Sequence, residues 1–277
     1  MTALRRTDFH SHLMPGVDDG ARDATFSRGA LEHFRAEGVG QVITTPHFLG
    51  SLSQQPEALA ARLAELDAGW AALEAVAREE GAAHGAPLRL SRGAEVMLDV
   101  PDPDLSDARL RLAGTPFALV EFPGLQLPPM NAEYAIVALR QKGWWPVVAH
   151  PERYRNVDDQ LTTFARFRAA GGFMQLNAGS LAGGYGQRAA ACAQRLLAAG
   201  WVDYASSDYH ARGEPGVAAF VAQLEAVGAG AQAELLTVVN PGRLLAGEAP
   251  LPVPPVRFDG GPTGDSPTFW ARLFGRR

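Results

Sequence analysis

Histidine and carboxylate residues recur in this sequence within short polar motifs that lie far apart along the chain. They are Asp8, His10 and His12 in DFHSH, His47 in TTPH, Glu95 in RGAE, Glu121 in VEFP, His150 in AHPER, and Asp208 and His210 in SSDYH. Imidazoles and carboxylates without thiolates suit divalent metals such as Mn, Fe or Zn. Because the set is too large for one ion, we expect a centre that holds two or three.

A buried hydrogen-bonded network without metal is the alternative explanation for these residues. Such a network would pack many ionisable groups together without cancelling their charges, which is costly, whereas metal ions supply that compensation. The two other histidines of the chain, His33 and His84, fall in or beside helical stretches and need no role. The sequence therefore favours the metal centre.

Short apolar runs, most of which end at one of these motifs, predict β-strands. The runs are Leu4–His10, Gln41–Thr45, Leu88–Arg92, Phe117–Phe122, Pro146–His150, Phe173–Asn177 and Val202–Ser206. Helical patterns separate them, and this alternation favours parallel pairing. Since residues at the carboxyl ends of parallel barrel strands converge on one mouth, we predict an α/β barrel of seven strands that gathers the motifs there.

The helical patterns are predicted at Ala24–Ala36, from Pro56 onward, and at Asn131–Lys142, Asp158–Ala170, Arg188–Ala199 and Pro215–Val227. The second helix carries a stripe that we expect to be buried, consisting of Leu59, Leu63, Leu66, Trp70, Leu73 and Ala77. From residue 247 the chain is rich in Pro and Gly, which predicts a flexible tail with little to bury. We thus expect one domain over residues 1–246 and a tail over 247–277, whose basic aromatic end FWARLFGRR is either a docking peptide or disordered.

Composition restricts the class of protein. A net charge of -5 gives no broad basic surface, so nucleic acid is not an expected partner. One cysteine excludes an internal disulfide, and the first residues contain no apolar segment before a cleavage site. No stretch approaches the ~18 apolar residues of a membrane span, so we expect a cytoplasmic protein without a transmembrane segment.

The motifs DFHSHLMPGVDDG, TTPH, RGAE, VEFP, AHPERY, QLNAGSLAG and SSDYH together resemble the polymerase and histidinol phosphatase (PHP) superfamily, and within it the bacterial PHP-type protein-tyrosine phosphatases. The resemblance covers residues 7 to 245. It implies a distorted seven-stranded α/β barrel of PHP type with a trinuclear site, usually of manganese. It also implies a role in capsule and exopolysaccharide synthesis, where such enzymes reverse the autophosphorylation of a membrane-associated tyrosine kinase.

The resemblance assigns ligands residue by residue. His10, His12, Glu95 and Asp208 match the ligands of one metal, Glu121 and His150 join Glu95 around a second, and Asp19, His47 and His210 match those of a third. Asp18 is the alternative to Asp19. Arg153 matches an arginine that holds the phosphate, while Arg212 stands at a spacing that departs from the family's second arginine.

We therefore predict a phosphotyrosine-protein phosphatase in which a hydroxide bridging two metals attacks phosphorus, with Arg153 and Arg212 binding phosphate and His210 as a weak acid for the leaving group. A histidinol-phosphate phosphatase or other small phosphoester hydrolase is one alternative, and a non-catalytic regulatory module that docks on a membrane kinase is another. Cys192 is not the nucleophile of a cysteine phosphatase, because position 198 is alanine instead of the required arginine. A homo-oligomer is left open.

Overall fold

The computed structural model describes residues 6–258, in which parallel strands alternate with helices. The strands are β1 (Arg6–Asp8), β2 (Val39–Thr44), β3 (His47–Leu49), β4 (Arg89–Arg92), β5 (Glu95–Met97), β6 (Phe117–Glu121), β7 (Trp145–Ala149), β8 (Phe173–Asn177) and β9 (Tyr204–Ser206). The α-helices are α1 (Ala24–Ala36), α2 (Pro56–His84), α3 (Glu133–Gln141), α4 (Thr162–Ala169), α5 (Ala178–Leu181), α6 (Gln187–Ala198), α7 (Val217–Ala226), α8 (Gly230–Glu234) and α9 (Asn240–Leu245). A π-helical turn at Leu235–Val239 connects α8 to α9.

The strands form a three-stranded sheet in the order β1-β2-β4 and a six-stranded sheet in the order β3-β5-β6-β7-β8-β9, and every ladder is parallel. Because β3 continues the path of β2 and β5 that of β4, the described chain has seven strand positions. Backbone bonds beyond β1 and β9 join the last position to the first, from Asp208 N to the His10 oxygen and from His12 N to the Tyr209 oxygen, each 2.8 Å. The predicted α/β class is confirmed, and these contacts are consistent with a distorted barrel.

The seven predicted runs coincide with the seven strand positions, but β3 and β5 were not predicted as separate strands. Pro46 has no N–H group to donate to a ladder, and Gly93 lies at the second break. Three-residue strands after such breaks are too short to show an alternating pattern. They matter here because His47 and Glu95 are their first residues.

Helix α2 packs its predicted stripe into the core. Leu63, Leu66, Leu73 and Ala77 are buried and Leu59 and Trp70 are partly buried, which confirms the expectation. The helix begins at Pro56, a position where the missing N–H costs nothing, and ends at Gly85 in the left-handed conformation. A Cβ on Gly69 would lie 2.3 Å from Val17, so the helix packs closely against the loop that carries Asp18 and Asp19.

The interior below the strand ends is apolar. It is a cluster of fully buried side chains that includes Phe9, Ile43, Phe117, Leu119, Val147, Ala149 and Tyr204. Phe9 and Tyr204 meet edge to face with ring centroids 5.2 Å apart, an arrangement that aromatic pairs prefer. This packed base fixes the strands, and polar residues occupy the opposite end.

Part of the predicted tail packs against the rest of the protein. Val253 and Val256 are buried, and Val256 N donates to the Leu197 oxygen at 3.0 Å. The Asn240 amide binds the Leu251 backbone through both its nitrogen and its oxygen, at 3.0 and 2.8 Å. The expectation of little to bury is wrong for residues 251–258, since an extended Pro-rich segment can still insert separate valines.

Residues 259–277, with the basic aromatic end, lie outside the described residues, so the division into a domain and a tail stays a prediction. Among residues 6–258, no helix combines the length and the apolar composition that crossing a membrane would require.

Candidate metal centre

All nine predicted metal-ligating residues lie together. His47 and Glu95 are the first residues of β3 and β5, and the other seven end a strand or follow one. Contacts of 2.9–3.9 Å between histidine nitrogens and carboxylate oxygens connect His10, His12, Asp19, His47, Glu95, Glu121, His150, Asp208 and His210 into one set. Six segments contribute to it, from the loop after β1 to the loop after β9. The geometry therefore agrees with the convergence expected of parallel strands.

The most buried group contains His10, His12, Glu95 and Asp208, each at most 4% exposed. His10 Nε2 lies 3.3 Å from both Glu95 Oε1 and Asp208 Oδ1. His12 Nε2 lies 3.5 Å from Glu95 Oε2 and 3.4 Å from Asp208 Oδ1. Within residues 6–258, His10 Nε2, His12 Nε2 and Glu95 Oε2 make no hydrogen bond. Buried polar atoms without partners are costly, so three converging atoms of this kind beside the Asp208 carboxylate fit a cation.

Two further groups share members with the first. His47, Glu95 and Glu121 form one, with His47 Nδ1 3.1 Å from Glu95 Oε2 and 3.6 Å from Glu121 Oε1. His150 adjoins it, its Nε2 2.9 Å from Glu95 Oε1 and 3.9 Å from Glu121 Oε2. The resemblance groups Glu95 and Glu121 with His150. In the structure, His47 lies beside these two carboxylates as well.

The third group contains His12, Asp19, His47 and His210 and lies nearer to solvent. Asp19 Oδ1 is 3.4 Å from His47 Nε2 and 3.3 Å from His210 Nε2, and the Asp19 side chain is 64% exposed. This arrangement favours Asp19 over Asp18 as the residue that faces the group.

Oxygen atoms of two side chains and of the backbone hold three of the histidines in one orientation. His12 Nδ1 binds Asp18 Oδ2 at 2.7 Å, His10 Nδ1 binds Gln175 Oε1 at 2.8 Å, and His210 Nδ1 binds the Asp208 backbone oxygen at 2.9 Å. In each case Nδ1 is the donor to an oxygen, so Nε2 carries the free lone pair and faces the cluster. Such outer partners are typical of metal-ligating histidines.

Sequence reasoning missed Gln175 and Asn177, which share one face of β8. The Gln175 amide nitrogen donates to Asn177 Oδ1 at 3.0 Å, which directs its oxygen towards His10. Asn177 Nδ2 in turn donates to Asp208 Oδ2 at 2.8 Å. Their alternate spacing in QLN was the available signal, since i and i+2 residues of a strand face the same way.

Arg153 lies at the mouth of the barrel beside Asp208. Its Nη1 donates to Asp208 Oδ2, which leaves Oδ1 of that carboxylate directed at His10 and His12. The guanidinium also lies over the Tyr185 ring, 4.4 Å from its centroid. Arg153 is thus held in place next to the cluster with some of its five donors available to a ligand.

His150 and Asp208 adopt left-handed backbone conformations, with φ of 34° and 55°. This region is uncommon for residues other than glycine and is concentrated at functional sites. Both residues come immediately after a strand or one residue beyond it, where the chain turns and directs their side chains into the mouth.

The pKa values of the clustered side chains are shifted in different directions. Burial lowers the pKa of His10, but the carboxylates of Glu95 and Asp208 outweigh it and raise the pKa to about 9. Burial, together with repulsion from Glu95, raises the pKa of Glu121 to about 7. Burial lowers the pKa of His150, and burial with the charge of His12 lowers that of His210. Glu121 thus resists ionisation beside Glu95, and a bound cation would favour the charged form of its carboxylate.

Arg212 and Cys192 lie away from the cluster contacts. Arg212 Nη2 donates to the backbone oxygen of Asp19, and its side chain lines an adjoining cleft. Cys192 is 1% exposed within α6, and burial raises the pKa of its thiol to about 11. A nucleophilic cysteine needs a lowered pKa, so the interpretation of Cys192 as a packing residue is confirmed.

Comparisons with known proteins show the family to which the sequence is related. Residues 6–246 match the family model described as capsular polysaccharide synthesis, CpsB/CapC. The tyrosine-protein phosphatase YwqE of Bacillus subtilis is 31% identical over 209 residues, which are 73% of this chain and 76% of the relative. A putative tyrosine-protein phosphatase CapC of Staphylococcus aureus is 23% identical over 206 residues, 73% of this chain and 76% of the relative.

The fold is also similar to solved structures. A chain from the crystal structures of YwqE from Bacillus subtilis and CpsB from Streptococcus pneumoniae, described as unique metal-dependent tyrosine phosphatases, superposes with a TM-score of 0.71 and 28% identity. The match covers 91% of this chain and all of that one. An organophosphorus hydrolase from Deinococcus radiodurans has a TM-score of 0.52 at 15% identity, with coverage of 88% and 94%, which is a likeness of fold alone.

Proposed function

Since this chain belongs to the CpsB/CapC family of capsular polysaccharide synthesis, we propose that it is a metal-dependent protein-tyrosine phosphatase. The family membership confirms the resemblance that the motifs predicted. The observation that carries the proposal is the buried group of His10, His12, Glu95 and Asp208, in which His10 Nε2, His12 Nε2 and Glu95 Oε2 converge without a hydrogen bond in the described chain.

The proposed ligands are the nine residues predicted from the sequence, and the proposed cofactor is two or three divalent ions, manganese first, with iron or zinc as alternatives. Their nitrogen and oxygen atoms fit such ions, since no thiolate lies among them. When bound, the ions would supply a Lewis acid for the phosphoryl oxygens and a lower pKa for water.

The residues of the chain supply the geometry around that chemistry. We assign Arg153 to the phosphate, because a planar guanidinium can donate two parallel bonds to phosphoryl oxygens and this one is fixed by Asp208 and Tyr185. Asp18, Gln175 and Asn177 hold their partners in orientation. His210 uses Nδ1 on a backbone oxygen and directs Nε2 at Asp19, which supports a ligand role more directly than a role as an acid. Its acid role, and that of Arg212 at the phosphate, remain predictions.

The proposed substrate is phosphotyrosine on a protein, such as a membrane-associated tyrosine kinase of capsule or exopolysaccharide synthesis, with the enzyme acting in the cytoplasm. The names of YwqE and CapC support a tyrosine substrate. A small phosphoester such as histidinol phosphate would use the same ligands, so substrate preference has to be measured. A non-catalytic docking module is less well supported, because the ligand set is intact.

Hydrolysis of a phosphotyrosine peptide and of histidinol phosphate by metal-loaded protein tests the proposal, with a chelator as control. We expect the peptide to be preferred and the chelator to abolish turnover. A strong preference for histidinol phosphate would overturn the tyrosine assignment. Cys192→Ala serves as a matched control that should retain full activity; loss of turnover in a folded Cys192→Ala protein would contradict the metal mechanism.

A further inference from the structure

A cleft of about 310 Å³ adjoins the third group of the cluster and is lined by Gly20, Arg22, Phe26 and Arg212. We call it the arginine cleft. Its volume is near the lower end of the ~300–1,000 Å³ typical of ligand sites, which suits one side chain better than a whole ligand. None of the roles proposed above uses Arg22 or Phe26.

The cleft is next to the cluster in space. Arg212 follows His210 by two residues, and its guanidinium donates to the backbone oxygen of Asp19. Gly20 lies against His12 so closely that a Cβ would be 2.1 Å from the His12 oxygen. Only backbone therefore lies between Gly20, which lines the cleft, and His12, a proposed metal ligand.

The two arginines in the cleft have no carboxylate partner within residues 6–258. Arg22 makes no ion pair there, and Arg212 donates only to a backbone oxygen. The nearby acids are engaged elsewhere, because Asp23 caps α1 through the amides of Thr25 and Phe26 and Asp19 faces His47 and His210. The cleft thus offers two guanidiniums to an anion from outside.

Phe26 gives the cleft an apolar wall and fixes one of the cations. The Arg22 guanidinium lies over the Phe26 ring, 4.2 Å from its centroid. A stacked guanidinium keeps its in-plane N–H donors free, so it can bind a carboxylate in the two-bond geometry that arginine favours.

We propose that the arginine cleft binds an acidic side chain, Asp or Glu, that flanks phosphotyrosine in the substrate. The inference rests on the proposed function and adds to it a preference for acidic sequence around the phosphorylated residue. Such a contact would improve binding of the peptide without taking part in the chemistry, so it acts on KM and leaves kcat unchanged.

The test uses the metal-loaded full chain and two phosphotyrosine peptides that are identical except for Glu or Gln on both sides of the phosphotyrosine. Wild type should show the lower KM for the Glu peptide. Arg22→Ala should raise that KM roughly three- to fivefold, which corresponds to the loss of one partly exposed ion pair. The KM values for the Gln peptide and for p-nitrophenyl phosphate should not change. Added salt should raise the KM for the Glu peptide more than the KM for the Gln peptide, because only the Glu peptide has the additional ion pair that salt screens.

Arg28→Ala is the matched control, since it removes the same charge from α1 where Arg28 pairs with Glu79 of α2. It should leave the preference for the Glu peptide intact. Equal KM values for the two peptides with wild type, or an unchanged preference in folded Arg22→Ala protein, would overturn the cleft assignment while phosphotyrosine hydrolysis persisted. A wild type that hydrolyses neither peptide but does hydrolyse small phosphoesters would instead overturn the proposed function, and this inference with it.

Discussion

Two clusters of charged side chains in this molecule satisfy their charges in different ways. On the outside of α2, Asp67 accepts from Arg92 at 2.6 Å and from Arg109 at 2.7 Å, and Asp107 accepts from Arg109 at 2.6 Å. Two carboxylates meet two guanidiniums, and all four side chains are partly exposed. The outer cluster is balanced by its own residues and by water.

At the mouth of the barrel the carboxylates face imidazoles instead. Glu95 and Asp208 are almost fully buried, and their neighbours His10 and His12 direct unpaired Nε2 atoms at them. A protonated imidazole compensates a buried carboxylate only by being buried as a charge with it, and the raised pKa of His10 reflects that pairing. The outer cluster is thus complete as a structural feature, whereas at the mouth His10 Nε2, His12 Nε2 and Glu95 Oε2 have no hydrogen bond within residues 6–258, and a cation from outside the chain would satisfy them.

Substitution of Glu95 should have the largest effect at the mouth, because its two oxygens face all of the buried histidines of the cluster. Glu95→Gln keeps the shape and removes the charge. We expect kcat/KM for a phosphotyrosine substrate to fall by about three orders of magnitude, since two groups lose a shared ligand. Steady-state kinetics and the metal content of purified protein would measure this, and near-normal values of both would contradict the account.

Arg153 tests whether the mouth binds phosphate as well as metal. Arg153→Lys keeps a positive charge but loses the planar pair of donors, so we expect kcat/KM to fall roughly a hundredfold. Metal content should stay at the wild-type level, because the substituted residue is not a ligand. Loss of metal together with activity would show instead that Arg153 acts by holding Asp208.

Asp18 tests the layer behind the ligands. Asp18→Ala removes the acceptor for His12 Nδ1 and should weaken metal binding by about 10- to 100-fold. Titration with Mn²⁺, followed by calorimetry or by recovery of activity, would measure the change. Recovery of full kcat at saturating metal is expected, whereas an unchanged metal affinity would remove Asp18 from this role.

Asp67→Asn should have the smallest effect and act on stability alone. Burial raises the pKa of Asp67, but the combined contacts with Arg92 and Arg109 outweigh it and lower the pKa. The ion pairs therefore stabilise the fold at pH values above the ordinary pKa of aspartate, and this stability is lost as the pH falls through the lowered pKa. We expect a loss of at most about 1 kcal/mol at pH 7 and none in strong acid.

Urea denaturation of wild type and Asp67→Asn at both pH values would measure that difference, with the phosphatase activity of folded Asp67→Asn protein unchanged. Lower activity in the folded variant would show that the outer cluster is not merely structural.

Much of the mouth could be predicted because its chemistry is carried by residue types that are rare in apolar runs. His10, Glu121, His150 and Asp208 lie at or just after strands whose hydrophobic pattern is strong. Parallel strands bring such residues together whatever the details of the helices.

Other features depend on contacts that the sequence pattern does not contain. Asn177 reaches Asp208 because β8 lies next to β9 in the sheet, and Gln175 reaches His10 in the loop after β1. The strands β3 and β5 follow breaks and contain three residues each. Val253 and Val256 were assigned to a flexible tail because Pro-rich composition masks separate apolar positions. Each of these features depends on contacts between residues that lie far apart in the sequence.

Anomalous diffraction from crystals grown with Mn²⁺ would show whether the mouth binds divalent cations. We expect two or three anomalous peaks at the mouth, one of them within coordinating distance of His10, His12, Glu95 and Asp208. Peaks elsewhere on the molecule, or none at the mouth at saturating Mn²⁺, would contradict this expectation.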